Sequence, residues 1–141
     1  MSVNLSALGT RAIVLDIEGT TTPVDFVYQV LFPFARTHVA EFLKHDWESA
    51  TCRDAVTLLR EESEAEIRGG RDVRGVRLGP DLTPASVVNY VYWLMDRDRK
   101  SRGLKALQGL IWQDGYRSGE LRGQVYHDVR PALARWQSGG M

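Results

Sequence analysis

Ala12-Ile13-Val14-Leu15-Asp16-Ile17-Glu18-Gly19-Thr20-Thr21-Thr22-Pro23 is the stretch on which the reading of the whole chain turns. Its first four residues are apolar and half of them β-branched, which suits a short strand buried on both faces, as in a parallel sheet. The next eight hold three threonines, a glycine and a proline, a composition that resists regular helix and marks a loop leaving the strand. Two carboxylates, Asp16 and Glu18, therefore stand where a strand gives way to a loop. In open α/β folds ligands bind just beyond that carboxyl end.

Downstream the period changes to that of helices. Phe26, Val27, Val30, Leu31 and Phe34 recur at helical spacing, with Pro33 expected to break or bend the run, and Val39, Phe42, Leu43 and Trp47 continue it. A second helix is expected over Ser49 to Ile67, with Cys52, Val56 and Leu59 on its buried face. Arg68 to Pro80, with four glycines and four arginines, reads as an exposed loop. Thr83-Pro84 has the form of a helix start, threonine as cap and proline in the first turn. That helix carries Val87, Val88, Val91, Leu94 and Met95. Another is expected from about Arg102 to Leu121, where Gly103, Gly109 and Gly115 either weaken it or permit close packing. Asp128 would cap a last helix through Leu133 and Trp136, ending at Gly139-Gly140. One strand followed by helices leaves the strand without pairing partners.

The 141 residues, 43% apolar and 26% charged, suit a globular protein. Eighteen basic and eighteen acidic residues balance, so no overall field draws the chain to nucleic acid or to an acidic membrane. No apolar run approaches the ~20 residues of a membrane span. No secretory signal is visible, and the single Cys52 cannot form an internal disulfide, so the cytoplasm is the expected compartment.

The acid pair allows a specific chemistry. Asp16 can attack phosphorus and form an aspartyl-phosphate, and Mg²⁺, a hard cation preferring oxygen, would hold that carboxylate against the phosphate. Glu18 could protonate the leaving oxygen and then activate water. Gly19 would let the chain turn tightly enough for amides and Thr20 to approach the phosphate. The same letters also describe a turn with two solvated acids.

Asp16-Ile17-Glu18-Gly19-Thr20 resembles the first signature motif of haloacid dehalogenase-class phosphatases, with glutamate in place of the second aspartate. Extended to Thr21-Thr22-Pro23 and Phe26-Val27, it resembles the enolase-phosphatase (acireductone synthase) family. Leu31-Phe32-Pro33-Phe34, Asp98-Arg99-Lys100, Leu104-Lys105, Leu107-Gln108-Gly109, Trp112, and Asp128-Val129 with Pro131 carry the likeness from about Ala12 to Met141. The resemblance implies an α/β haloacid dehalogenase-like fold with a helical cap, of which this truncated chain would be mostly α-helical with one core strand. On that basis residues 1–23 hold the first strand and nucleophile loop, 24–125 the helical cap, and 126–141 the start of the return to the core.

By the same resemblance the function is Mg²⁺-dependent conversion of 2,3-diketo-5-methylthiopentyl-1-phosphate to acireductone and phosphate, in methionine salvage. Asp16 is implied as nucleophile and metal ligand; Glu18 as acid/base, binding metal through its carbonyl. Lys100, Lys105, Gln108 and Trp112 in the cap are implied to read the substrate, against a solvated helix face and plain packing of Trp112. Phe26 and Tyr28 could line a pocket for the methylthio group, or pack in the core. The family's phosphate-binding Ser or Thr, its Lys and its acidic pair cannot be placed, so this chain alone is expected to be inactive. A monomer and a small phosphate ester, with no nucleic acid or membrane partner, complete the expectation. The alternatives are a phosphatase for another ester and a non-catalytic helical binding module.

Other features carry less. Arg68, Arg71, Arg74 and Arg77 form a basic loop that lacks interleaved aromatics and follows Glu61, Glu62, Glu64 and Glu66, which favours a solvated connection. His38, His45 and His127 show no metal-ligand spacing.

Overall fold

The computed structural model describes residues 5–73 and 75–140, so Arg74 of the basic loop lies outside the described residues. The chain forms two compact units, Leu31–Arg122 and Met1–Val30 with Gly123–Met141.

The first of these is helical. It contains α2 (Phe32–Asp46), α3 (Ala50–Arg68), α4 (Pro84–Asp96) and α5 (Arg102–Ser118). Each of the last three starts on a side-chain cap. Ser49 accepts from the Cys52 amide, Thr83 and Ser86 form a reciprocal capping box, and Ser101 accepts from the Leu104 amide. Such caps satisfy amides that have no partner within the helix and contribute about 1 kcal/mol each. At its far end α5 stops on Gly119, whose φ of +81° is open to glycine at no steric cost.

One core joins all four helices: Ala35, Val39 and Leu43 from α2, Cys52 and Leu59 from α3, Val87, Tyr90 and Val91 from α4, Leu104, Leu107 and Ile111 from α5. Burying each large side chain contributes about 1.5–3 kcal/mol. Two glycines set how closely α5 packs. A Cβ on Gly103 would lie 2.7 Å from the Leu59 amide nitrogen, and one on Gly115 would lie 2.7 Å from the Phe34 ring. Gly109 faces open space. Of the three glycines noted in the sequence, two serve close packing and one does not.

The basic loop departs from the expectation of an exposed connection. Val73 and Leu78 within it are buried, and the Leu78 amide donates to Ser63 Oγ at 3.1 Å. Two apolar anchors thus hold a segment whose composition is otherwise that of solvent-facing chain.

The second unit holds a 3-10 turn (Ser6–Leu8), α1 (Val24–Phe26), most of a π-helical segment (Val27–Leu31) and α6 (Val129–Ser138). The π segment directly precedes α2, so Pro33 falls in the first turn of a new helix, where its missing N–H costs little. Asp128 occupies the cap position of α6 but makes no side-chain cap hydrogen bond.

The expected core strand is not formed. Ala12 to Leu15 is outside any ladder, and the only bridge among the described residues is the isolated pair Glu18↔Thr22. Val14 is 97% exposed and Ile17 64%. The residue types are those of a buried strand, but a strand is defined by a neighbouring backbone, and none of the described residues supplies one. The chain as described is helical, with no strand among the described residues.

Candidate functional site

The loop after Leu15 is tied into a compact knot by a single carbonyl. Ile17 O accepts from the amides of Thr20, Thr21 and Thr22 at 3.2, 3.0 and 2.9 Å, and from Thr21 Oγ1 at 3.4 Å. Gly19 N closes the knot on Thr22 O at 2.8 Å, and this turn requires the φ of +77° found at Gly19. From the segment before α6, in the same unit, the Tyr126 amide donates to Thr21 O at 2.9 Å.

This bonding revises one expectation about the loop. The amides of Gly19, Thr20, Thr21 and Thr22 are all committed inside the knot and cannot also cradle a phosphate. Among the described residues, Ile17 N and Glu18 N donate to no backbone carbonyl, and no amide donates to the Glu18 carbonyl. The Ile17 and Glu18 amides and the Glu18 oxygen are thus among the open backbone groups of the loop.

Asp16 and Glu18 are both exposed, and Thr20 lies on the wall of a hollow of about 150 Å³ with Leu15, Asp128 and Trp136. Phe26, in the same unit, is buried at 4% exposure, whereas Tyr28 is 65% exposed. The remaining sequence-expected residues belong to the helical unit. Lys100 is exposed in the α4–α5 connection beside a second hollow, and Lys105 is exposed on α5. Trp112 is half-buried; its Nε1 donates to Leu31 O at 2.8 Å and its ring lies 6.2 Å from that of Phe32. Asp16, Glu18, Thr20 and Phe26 thus share one unit, and Lys100, Lys105 and Trp112 share the other.

Asp16 and Glu18 offer hard oxygen donors two residues apart. No cluster of three His, Cys, Asp or Glu side chains suited to a metal exists among the described residues. Mg²⁺ commonly takes only one or two protein carboxylates, completing its shell with water and substrate phosphate. The donor chemistry of this loop fits that pattern. His38 and His45 instead make local contacts: His38 Nδ1 stands 2.8 Å from Phe34 O, and His45 Nε2 3.0 Å from Glu41 Oε1.

Sequence reasoning missed a polar network in the helical unit. Glu62 on α3 accepts from Ser101 Oγ and from the amides of Arg102 and Gly103, while Glu66 pairs with Arg71 and Arg99. Its partners lie up to 41 residues away in sequence, and only the acid-rich stretch before the basic loop hinted at it.

Comparison with known proteins points to the phosphatase class. The chain is 49% identical over 129 residues to the enolase-phosphatase E1 of Synechococcus elongatus, a match covering 92% of this chain and 52% of the relative. To the enolase-phosphatase E1 of Anopheles gambiae it is 40% identical over 145 residues, covering 99% of this chain and 48% of the relative. A probable bifunctional methylthioribulose-1-phosphate dehydratase/enolase-phosphatase E1 of Physcomitrium patens is 40% identical over 142 residues, 98% of this chain and 28% of that protein. Among solved structures, the UTR4 protein of Saccharomyces cerevisiae matches with a TM-score of 0.57 and 27% identity, over 85% of this chain and 45% of that one. No family model matches. The chain belongs to the enolase-phosphatase family over the part of those proteins that it matches. It spans about half the length of the Synechococcus relative. No helix among the described residues is long and apolar enough to cross a membrane.

Proposed function

We propose that this chain carries the nucleophile loop and substrate-facing helices of a Mg²⁺-dependent enolase-phosphatase of methionine salvage. Its substrate would be 2,3-diketo-5-methylthiopentyl-1-phosphate, converted to acireductone and phosphate. One observation supports this reading above the rest. The Ile17 carbonyl gathers three amides and so holds the backbone between Asp16 and Thr22 in one shape, with both acids left exposed.

In this proposal the substrate is first enolised, its C1 proton lost and the C2 carbonyl oxygen protonated; the Asp16 carboxylate then attacks phosphorus, and the bond from phosphorus to the ester oxygen breaks. Glu18, protonated, delivers its hydrogen to that departing oxygen. As a carboxylate it then takes a proton from water, which attacks the aspartyl-phosphate and releases phosphate and free Asp16. Asp16 and the Glu18 carbonyl would hold Mg²⁺, which would supply charge neutralisation. Thr20 contributes a hydroxyl for phosphate, Phe26 an apolar surface for the methylthio end, and Lys100, Lys105 and Trp112 recognition from the helical unit. The setting is the cytoplasm.

A chimera tests the assignment. The segment of the Synechococcus elongatus relative that matches this chain is replaced by residues 1–141, and phosphate release is followed with a panel of esters. The proposal expects Mg²⁺-dependent turnover that prefers the diketo phosphate. Preference for a sugar or nucleotide phosphate would move the chain to a phosphatase of other specificity.

A further inference from the structure

From Val24 to Asp46 the chain follows one helical path, and its stretch Val27–Leu31 is a π turn. Leu31, where the π turn meets α2, keeps ordinary helical angles (φ −66°, ψ −51°), so the path winds on without a break. Pro33 explains why this path is not α-helical throughout. In a continuous α-helix its ring would meet the carbonyl four residues back, and it has no amide to donate. A π turn bonds to a carbonyl one residue further away and relieves that clash; such turns are frequent at functional sites. A plain break would relieve it as well. Pro33 thus says what the path cannot be, without selecting the π turn.

The selection comes from α5. Trp112 Nε1 donates to Leu31 O at 2.8 Å, across 81 residues of sequence, and the half-buried indole lies 6.2 Å from the Phe32 ring. One turn further along α5, Gly115 leaves room for the Phe34 ring, which a Cβ there would meet at 2.7 Å. Trp112 and Gly115 stand three apart, on one face of α5. Between them they hold Leu31 and Phe34, the two ends of the turn in which π gives way to α. Because its N–H is committed to this carbonyl, Trp112 has no donor left to offer a substrate.

We propose that Trp112 is a positioning residue whose N–H, bonded to Leu31 O, pins the π turn Val27–Leu31. The pinned turn stiffens the path by which the chain runs from the Asp16–Thr22 loop into α2. The pin stands whatever the loop does, whereas its effect on turnover rests on the phosphatase reading.

Amide hydrogen exchange on the 141-residue chain tests the pin, and kinetics of the Synechococcus chimera test its consequence. Replacing Trp112 by 3-benzothienylalanine keeps the shape of the ring and removes the N–H; Trp112→Phe is the encoded counterpart. One hydrogen bond corresponds to a factor of about 3 to 10. The Leu31 and Phe32 amides should therefore exchange about 3- to 10-fold faster in both variants, while those of Tyr90 and Val91 in α4 keep their rates. In the chimera kcat should fall at least about 3-fold with KM unchanged within about twofold, because a nucleophile held out of place loses rate rather than affinity. Unchanged exchange at Leu31 and Phe32 in the benzothienyl variant would overturn the pin. Equal acceleration throughout α2 to α5 would reduce Trp112 to ordinary packing, and a raised KM with kcat intact would make it a substrate contact. Either result would overturn the positioning role. A parent chimera without Mg²⁺-dependent turnover counts against the phosphatase reading alone, and the exchange rates still decide the pin.

Discussion

Glu62 Oε1 accepts the Arg102 amide at 2.7 Å, joining α3 to the first turn of α5. The same carboxylate takes Ser101 Oγ and reaches the Gly103 amide at 3.4 Å. A negative charge at this end of a helix meets amides without intrahelical partners and the positive pole of the helix dipole. Glu62→Ala is expected to cost about 1–3 kcal/mol, since these bonds go to a charged acceptor. Urea denaturation of both chains measures it; an unchanged midpoint and slope would show that water replaces the carboxylate without loss.

The approach of α5 to α3 makes a paired prediction. Gly103→Ala places a Cβ 2.7 Å from Leu59 backbone nitrogen, which cannot rotate away, and overpacking of this kind costs about 1–3 kcal/mol. Gly109→Ala meets nothing within 4 Å and should stabilise by about 0.5–1 kcal/mol through helix propensity. The two melting temperatures should move in opposite directions.

Alkaline pH tests the burial of Tyr90. Its folded pKa of about 12 lies above the unfolded value near 10, so between those values the folded chain binds more protons than the unfolded one. Stability from this group is complete below pH ~10 and falls as pH rises towards 12. The loss is on the order of 2–3 kcal/mol. Tyr90→Phe lacks this component, so the stability difference between the two chains should shift in favour of the variant over that window. Parallel pH profiles would contradict the assignment.

Much of the helical unit was legible in the sequence because its signals are local. Thr83-Pro84 and Ser49 mark starts that the capping bonds realise, and Cys52, Val56 and Leu59 are buried as their spacing required. The strand expected at Ala12 to Leu15 is not formed among the described residues, for a non-local reason. Its residues have strand character, but pairing needs a second backbone that no local pattern reports. The anchoring of the basic loop by Val73 and Leu78 was hidden among glycines and arginines. Asp16 and Glu18 were recognisable as a motif, whereas the commitment of four loop amides to internal bonds needed coordinates. The pairing of Glu62 and Glu66 with residues far along the chain left no periodic trace at all.

The central claim is that Asp16 accepts a phosphoryl group. In the Synechococcus chimera, Asp16→Asn keeps the size of the side chain and removes its nucleophilic charge. Phosphate release from the diketo ester should fall at least about a thousand-fold, as when other enzymes lose their nucleophile. A variant that turns over at the parent rate would contradict the account.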